Sequence, residues 1–155
     1  MAVRHWRIWA SVTALPALYF AMASLMSMRE ILDARFFYSA NDVSRFFAEL
    51  PPGRAGVYLE HQLLDLLFLS SYSVLSFSLA GFLFPGPSKL KSLALVPGVF
   101  DLIETSSIIA ILLGAPIGLF AGWLGFATCL KWSSGGLLTV VSLGRLAWIK
   151  VRQRK

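Results

Sequence analysis

The chain has 155 residues, of which 57% are hydrophobic and 14% charged, and its mean hydropathy of +0.70 lies well above that of soluble domains. That composition fits a single domain whose solvent is lipid. The formal net charge of +6 does not argue for nucleic acid, because the basic residues flank apolar runs instead of forming a face interleaved with exposed aromatics.

The first apolar run, Ile8 to Met28, is about 20 residues long, enough to cross a hydrocarbon core of about 30 Å at about 1.5 Å per residue. Arg4 and Arg7 precede it, and Ala21-Met22-Ala23 resembles a small-residue cleavage site. A signal-peptide reading therefore stands beside that of a retained anchor, and the anchor is the expectation here.

Residues 29–61 then form a connection far longer than the few residues that join packed helices. Within it Ser39 and Asn41 are candidate caps, and Val43, Phe46, Phe47 and Leu50 repeat at helical spacing before Pro51-Pro52-Gly53. The pattern predicts a short amphipathic helix. Either it rests in the lipid interface and anchors the connection, or it is a lid over a cavity between the spans.

The second span is expected over residues 62–84, stopped by Pro85-Gly86-Pro87, and the third over residues 90–113, stopped by Gly114-Ala115-Pro116. The fourth covers residues 118–148, longer than a perpendicular crossing needs, so it tilts or projects. It contains Cys129, the single cysteine of the chain, which gives neither a disulfide framework nor a cysteine metal motif. Gly135-Gly136 in the same run suits close helix approach, since no strand or P-loop context surrounds it. The fold class that follows is all-α, a polytopic four-helix bundle in one domain.

Basic residues near span ends stay in the cytoplasm. Arg4, Arg7, Lys89, Lys91, Arg145, Lys150, Arg152, Arg154 and Lys155 fall on one side with no carboxylate among them. Arg29, Arg35, Arg45 and Arg54 fall on the other, offset by Glu30, Asp33, Asp42, Glu49 and Glu60. The expected topology has both termini in the cytoplasm, segment 29–61 outside, and Trp6, Trp9 and Trp148 at the cytoplasmic interface.

Ionisable side chains inside a span cost about 2.5–3.5 kcal/mol to insert, so they face protein or water and often mark function. Asp101 and Glu104 share one face of the third span, Lys131 lies at comparable depth in the fourth and can neutralise one of them, and His61 and Asp65 share a face of the second. Ser70, Tyr72, Ser73, Ser76, Thr105, Ser106 and Ser107 add hydroxyls that satisfy helix carbonyls or bridge to neighbouring spans. Two readings stay open for the cluster His61, Asp65, Asp101, Glu104 and Lys131: an ion-paired network holding the helices in register, or a functional pocket. A metal is not expected, because His61 stands alone beside carboxylates, and no cofactor motif is present.

The run Tyr58 to Tyr72, with Asp65 seven residues after Tyr58, together with Phe100-Asp101-Leu102-Ile103-Glu104-Thr105 and Lys131-Trp132, resembles small uncharacterised four-span bacterial integral membrane proteins. The likeness covers most of the chain after Phe37; family members carry proline at the place of Leu69 and asparagine at the place of Thr105, so the chain departs at both. It implies the fold and a bacterial inner membrane, but no activity. At the level of layout alone, His61-x-x-x-Asp65 is similar to the sterol isomerase and sigma-receptor-like proteins, which place a histidine and acidic residues in a membrane pocket.

The expected function is that of a noncatalytic integral membrane protein, an accessory subunit or a binder of a lipophilic molecule. Its partners would be membrane lipids and a membrane subunit or second copy of the chain. The alternative is a membrane-embedded enzyme doing acid/base chemistry on a lipid-like substrate through Asp65, Asp101, Glu104 and His61. A pocket of several hundred cubic ångströms into which these side chains project would favour a binder or enzyme over a structural subunit.

Overall fold

The computed structural model describes residues 3–27, 30–85 and 89–153. The expected end of the first span at Met28, and the side chains of Arg4, Arg7, Arg29, Lys89, Arg154 and Lys155, lie outside what is described. Six α-helices follow in order among the described residues: α1 (Val3–Leu25), α2 (Ala40–Ala48), α3 (Arg54–Leu83), α4 (Lys89–Leu93), α5 (Val96–Leu112) and α6 (Ala121–Arg152). Four segments, drawn from α1, α3, α4–α5 and α6, are long and apolar enough to cross a membrane, which makes the chain compatible with an integral membrane protein.

Three boundaries depart from the sequence pattern. Helix α3 starts at Arg54, right after Gly53 at φ 83°, so residues 54–61 belong to the helix and not to the connection. Glycine suits that left-handed turn because it has no Cβ to clash. The early start puts Tyr58 in the core, where its hydroxyl accepts the Leu32 N–H at 3.2 Å and donates to Asp33 Oδ1 at 3.4 Å. The third span is interrupted: α4 ends at Leu93, two turn residues follow, and α5 starts at Val96 with Pro97 in its first turn. Proline has no N–H to continue a helix but is tolerated where the first-turn donors are unused anyway. Helix α6 begins at Ala121, after a 3₁₀ turn over Ile117–Leu119, and runs to Arg152. At 32 residues it is about 48 Å long, which exceeds the hydrocarbon core and requires tilt or protrusion.

Gly114, at φ 100°, closes α5, with its N–H on the Ile111 carbonyl and the next N–H on that of Ala110, both at 2.9 Å. Cations finish two other helices, as carbonyls without intrahelical donors favour. Arg54 donates to the Leu25 carbonyl at the end of α1, and Arg145 donates to the Leu83 carbonyl at the end of α3, at 3.5 and 3.1 Å.

Helix α1 packs on α3, α3 on α5, and α5 on α6, while α1 and α6 share no extended contact. The row is therefore open on one side. Its core lies at one end, where Met26, Ile31, Leu32 and Tyr38 of the connection meet Val43, Tyr58, Ile108, Ile111, Ala121 and Leu124. The connection thus threads into the bundle. Its path requires Gly125, since a Cβ there would collide with the Tyr38 carbonyl.

Helix α2 is capped by Ser39, whose hydroxyl accepts the Asp42 N–H while the Asp42 carboxylate accepts the Ser39 N–H, a complete capping box. Asn41 lies inside the helix and Leu50 beyond it. Val43 is buried, and the rings of Phe46 and Phe47 stand 5.5 and 6.5 Å from that of Tyr58. The helix packs against α6, so its apolar face is covered by protein.

Candidate functional site

Because α1 and α6 stay apart, a half-open cavity of about 440 Å³ remains between them. Leu15, Tyr19, Met22 and Ala23 of α1 line one side, and Lys131, Trp132 and Gly135 of α6 the other. The floor is one stripe of α3, His61, Asp65, Phe68 and Tyr72, joined by Pro97 and Asp101 of α5. These α3 residues recur at i, i+4, i+7 and i+11, the period of one helical face. Met26, Ile31, Asp33 and Ala34 of the connection form the roof. Tyr19 and Trp132 line the cavity yet are each nearly half exposed, so they flank its mouth.

The five residues singled out by sequence divide into two groups. Lys131 is the hub of the first: its ammonium lies 2.9 Å from Asp101 Oδ1 and 2.6 Å from Glu104 Oε2, and donates to the Asp33 backbone carbonyl at 3.4 Å. The other oxygens of these carboxylates are also occupied. Tyr72 donates to Asp101 Oδ2 and Tyr38 to Glu104 Oε1, both at 2.7 Å, and the Thr128 hydroxyl contacts Glu104 Oε1. Glu104 is completely buried and does not line the cavity. Burial of the Tyr38 ring itself, with the Glu104 carboxylate second, pushes the Tyr38 phenol well above its usual pKa, so Tyr38 stays a hydrogen-bond donor.

His61 and Asp65 form the second group, and both face the cavity. Asp65, 6% exposed, accepts the Thr105 hydroxyl proton at 2.8 Å. His61 is 2% exposed, and its Nδ1 has no hydrogen-bond partner among the described residues.

Asp33, Tyr38, Gln62 and Thr128 complete the polar core without having been singled out. Asp33 Oδ2 accepts from Gln62 Nε2 at 3.2 Å, so a carboxylate counted among loop charges is a buried member of the site. Its sequence signal was weak, since Arg29, Glu30 and Arg35 surround it and give the segment a solvated look. Thr128 and Gln62 looked like ordinary helix polar residues; their i, i+3 spacing to Lys131 and Asp65 was the available signal.

No group of three or more His, Cys, Asp or Glu among the described residues is arranged to hold a metal ion. Chemically the site offers an apolar-walled cleft whose lining includes the acidic residues Asp33, Asp65 and Asp101 and the imidazole residue His61, whose buried Nδ1 has no partner among the described residues. Comparisons with protein families, with curated proteins and with solved structures give no match.

Proposed function

We propose that the chain is a membrane-embedded binder of a lipophilic molecule, held in the cleft between α1 and α6. The cleft itself carries this reading: its volume and apolar walls suit a lipid-like ligand, while a few convergent polar groups suit its orientation. Its mouth is lateral, between two helices that face the bilayer, so a ligand dissolved in lipid enters without crossing water.

The Lys131 centre is then an intramembrane ion pair that fixes the floor of the cleft. The proposed setting is a bacterial cytoplasmic membrane with both termini inside, supported by the nine unaccompanied basic residues on the terminal side. Outside labelling of intact spheroplasts should modify an Ala40→Cys variant and spare Gln153→Cys; the reverse pattern inverts the topology.

The test of binding is native mass spectrometry of protein extracted in mild detergent. A Cβ at Gly135 meets only Pro97 Cβ, at 3.9 Å, so Gly135→Phe projects into the cleft without a backbone clash. Wild type should carry a lipophilic adduct that Gly135→Phe lacks. Equal adducts on both proteins would remove the cleft from consideration.

A second reading, proton transfer on a lipid-like substrate, is supported by Asp65, Asp101 and His61 lining the same cleft. Glu104 would hold Lys131 and Tyr38 in place, not touch substrate.

A further inference from the structure

Four buried carboxylates, Asp33, Asp65, Asp101 and Glu104, share the polar core with one ammonium, that of Lys131, whose side chain is 12% exposed. That ammonium is already shared between Asp101 and Glu104 and the Asp33 backbone carbonyl. Among the described residues no basic side chain reaches salt-bridge distance of Asp65, which accepts a hydrogen bond from a single hydroxyl, that of Thr105. One turn earlier on the same stripe, His61 also lines the cleft, and its ring is almost fully buried with an Nδ1 that has no partner among the described residues. Side chains at i and i+4 stand about 5–6 Å apart at Cβ, close enough for one small polar group to touch both.

We propose that the ligand is an amphiphilic amine whose N–H-bearing ammonium sits between Asp65 and His61. This rests on the reading of the cleft as a lipophilic binding site and names the chemical class it selects. An anionic head would add to a local excess of carboxylate in a poorly screened interior, whereas an ammonium supplies the opposite charge that Asp65 lacks. Asp65 accepts one N–H, and the neutral imidazole accepts a second at Nδ1 when its proton is on Nε2. A quaternary ammonium balances the charge but has no N–H for His61. The tail lies along Leu15, Met22 and Phe68 and leaves between Tyr19 and Trp132.

The experiment uses the full chain in nanodiscs of zwitterionic lipid, with radiolabelled dodecylamine as probe and empty nanodiscs as background. Dodecyltrimethylammonium, dodecanol and laurate, each unlabelled, compete against it. Dodecylamine should bind saturably, with the quaternary analogue about tenfold weaker or more, since it forfeits both charged N–H hydrogen bonds, and dodecanol and laurate weaker still. Asp65→Asn should weaken both cations, while His61→Phe should shrink the preference for amine over quaternary ammonium to the share due to the Asp65 hydrogen bond and leave quaternary binding in place. If Asp65→Asn does not fold, the competition series on wild type decides by itself. Dodecanol or laurate competing as well as dodecylamine overturns the amine assignment and leaves the cleft reading intact. Failure of dodecylamine to bind saturably also overturns it, and if Gly135→Phe still strips a native adduct, the amine class alone has fallen.

Discussion

Two carboxylates of the same polar core are built differently. Glu104 has both oxygens occupied, by Lys131, Tyr38 and Thr128, and lies sealed behind them. Asp65 has one hydrogen-bond partner among the described residues, Thr105, and lines the cleft together with His61, whose Nδ1 has none. Buried polar groups are normally satisfied, so a saturated cluster reads as architecture and an unsaturated one as a place where something else binds. The contrast supports the proposed division of the cluster into a structural half and a half for ligand recognition.

The strongest way to break that contrast is to remove the hub. Lys131→Met leaves Asp101 and Glu104 buried without their cation, and removing one member of a buried pair costs about 3–5 kcal/mol. Unfolding in detergent should show that loss directly. Adding Glu104→Leu should recover part of it, because one stranded carboxylate goes with its partner, while Asp101 retains the Tyr72 hydroxyl. A double variant as unstable as the single would make Asp101 the dominant partner of Lys131.

Tyr38→Phe comes next. It removes one of the two hydroxyls that reach Glu104 Oε1 in a fully sealed site and leaves Thr128 as the other, and a lost hydrogen bond to a charged group costs about 1.5–3 kcal/mol. Asp65→Asn should cost less than about 1 kcal/mol, because the amide oxygen still accepts from Thr105, yet it should remove ligand binding. If Asp65→Asn were instead as destabilising as Lys131→Met, the two halves would not differ in kind and the functional assignment of Asp65 would fail.

The sequence makes one half of this comparison far more legible than the other. Spans show because apolar runs of sufficient length are conspicuous, and the short helix shows because Ser39 and the Val43, Phe46 and Phe47 spacing are local signals. Asp101, Glu104 and Lys131 stand out as charges in apolar runs. Asp33 and Tyr38 do not, because a loop's descent into a core is decided by distant contacts, here Tyr58, Gln62, Glu104 and the bare backbone of Gly125. The break before α5 was legible in Pro97, but the uninterrupted apolar run obscured it. The cleft itself was not legible, since it depends on which helices fail to touch.

The smallest expected effect lies at the surface of the connection, outside both halves of the core. Glu30 accepts from the Ser27 N–H and hydroxyl at 2.9 and 2.8 Å and pairs with Arg54 at 2.9 Å. Asp42 accepts from the Ser39 N–H and hydroxyl at 2.9 and 2.7 Å. Backbone and hydroxyl donation from Ser27 holds Glu30 below its ordinary pKa, and the Ser39 hydroxyl and backbone N–H do the same for Asp42. A carboxylate depressed in the folded state binds fewer protons folded than unfolded, so its contribution is complete above the unfolded value near ~4 and disappears as pH falls through the lower folded value. Acidification below pH ~4 should therefore loosen the two turns locally. Amide exchange should report it as falling protection at Ser27, Ser39 and Val43, and Glu30→Gln with Asp42→Asn should flatten that pH dependence. Protection at these amides that falls equally steeply in the double variant would place the acid sensitivity elsewhere.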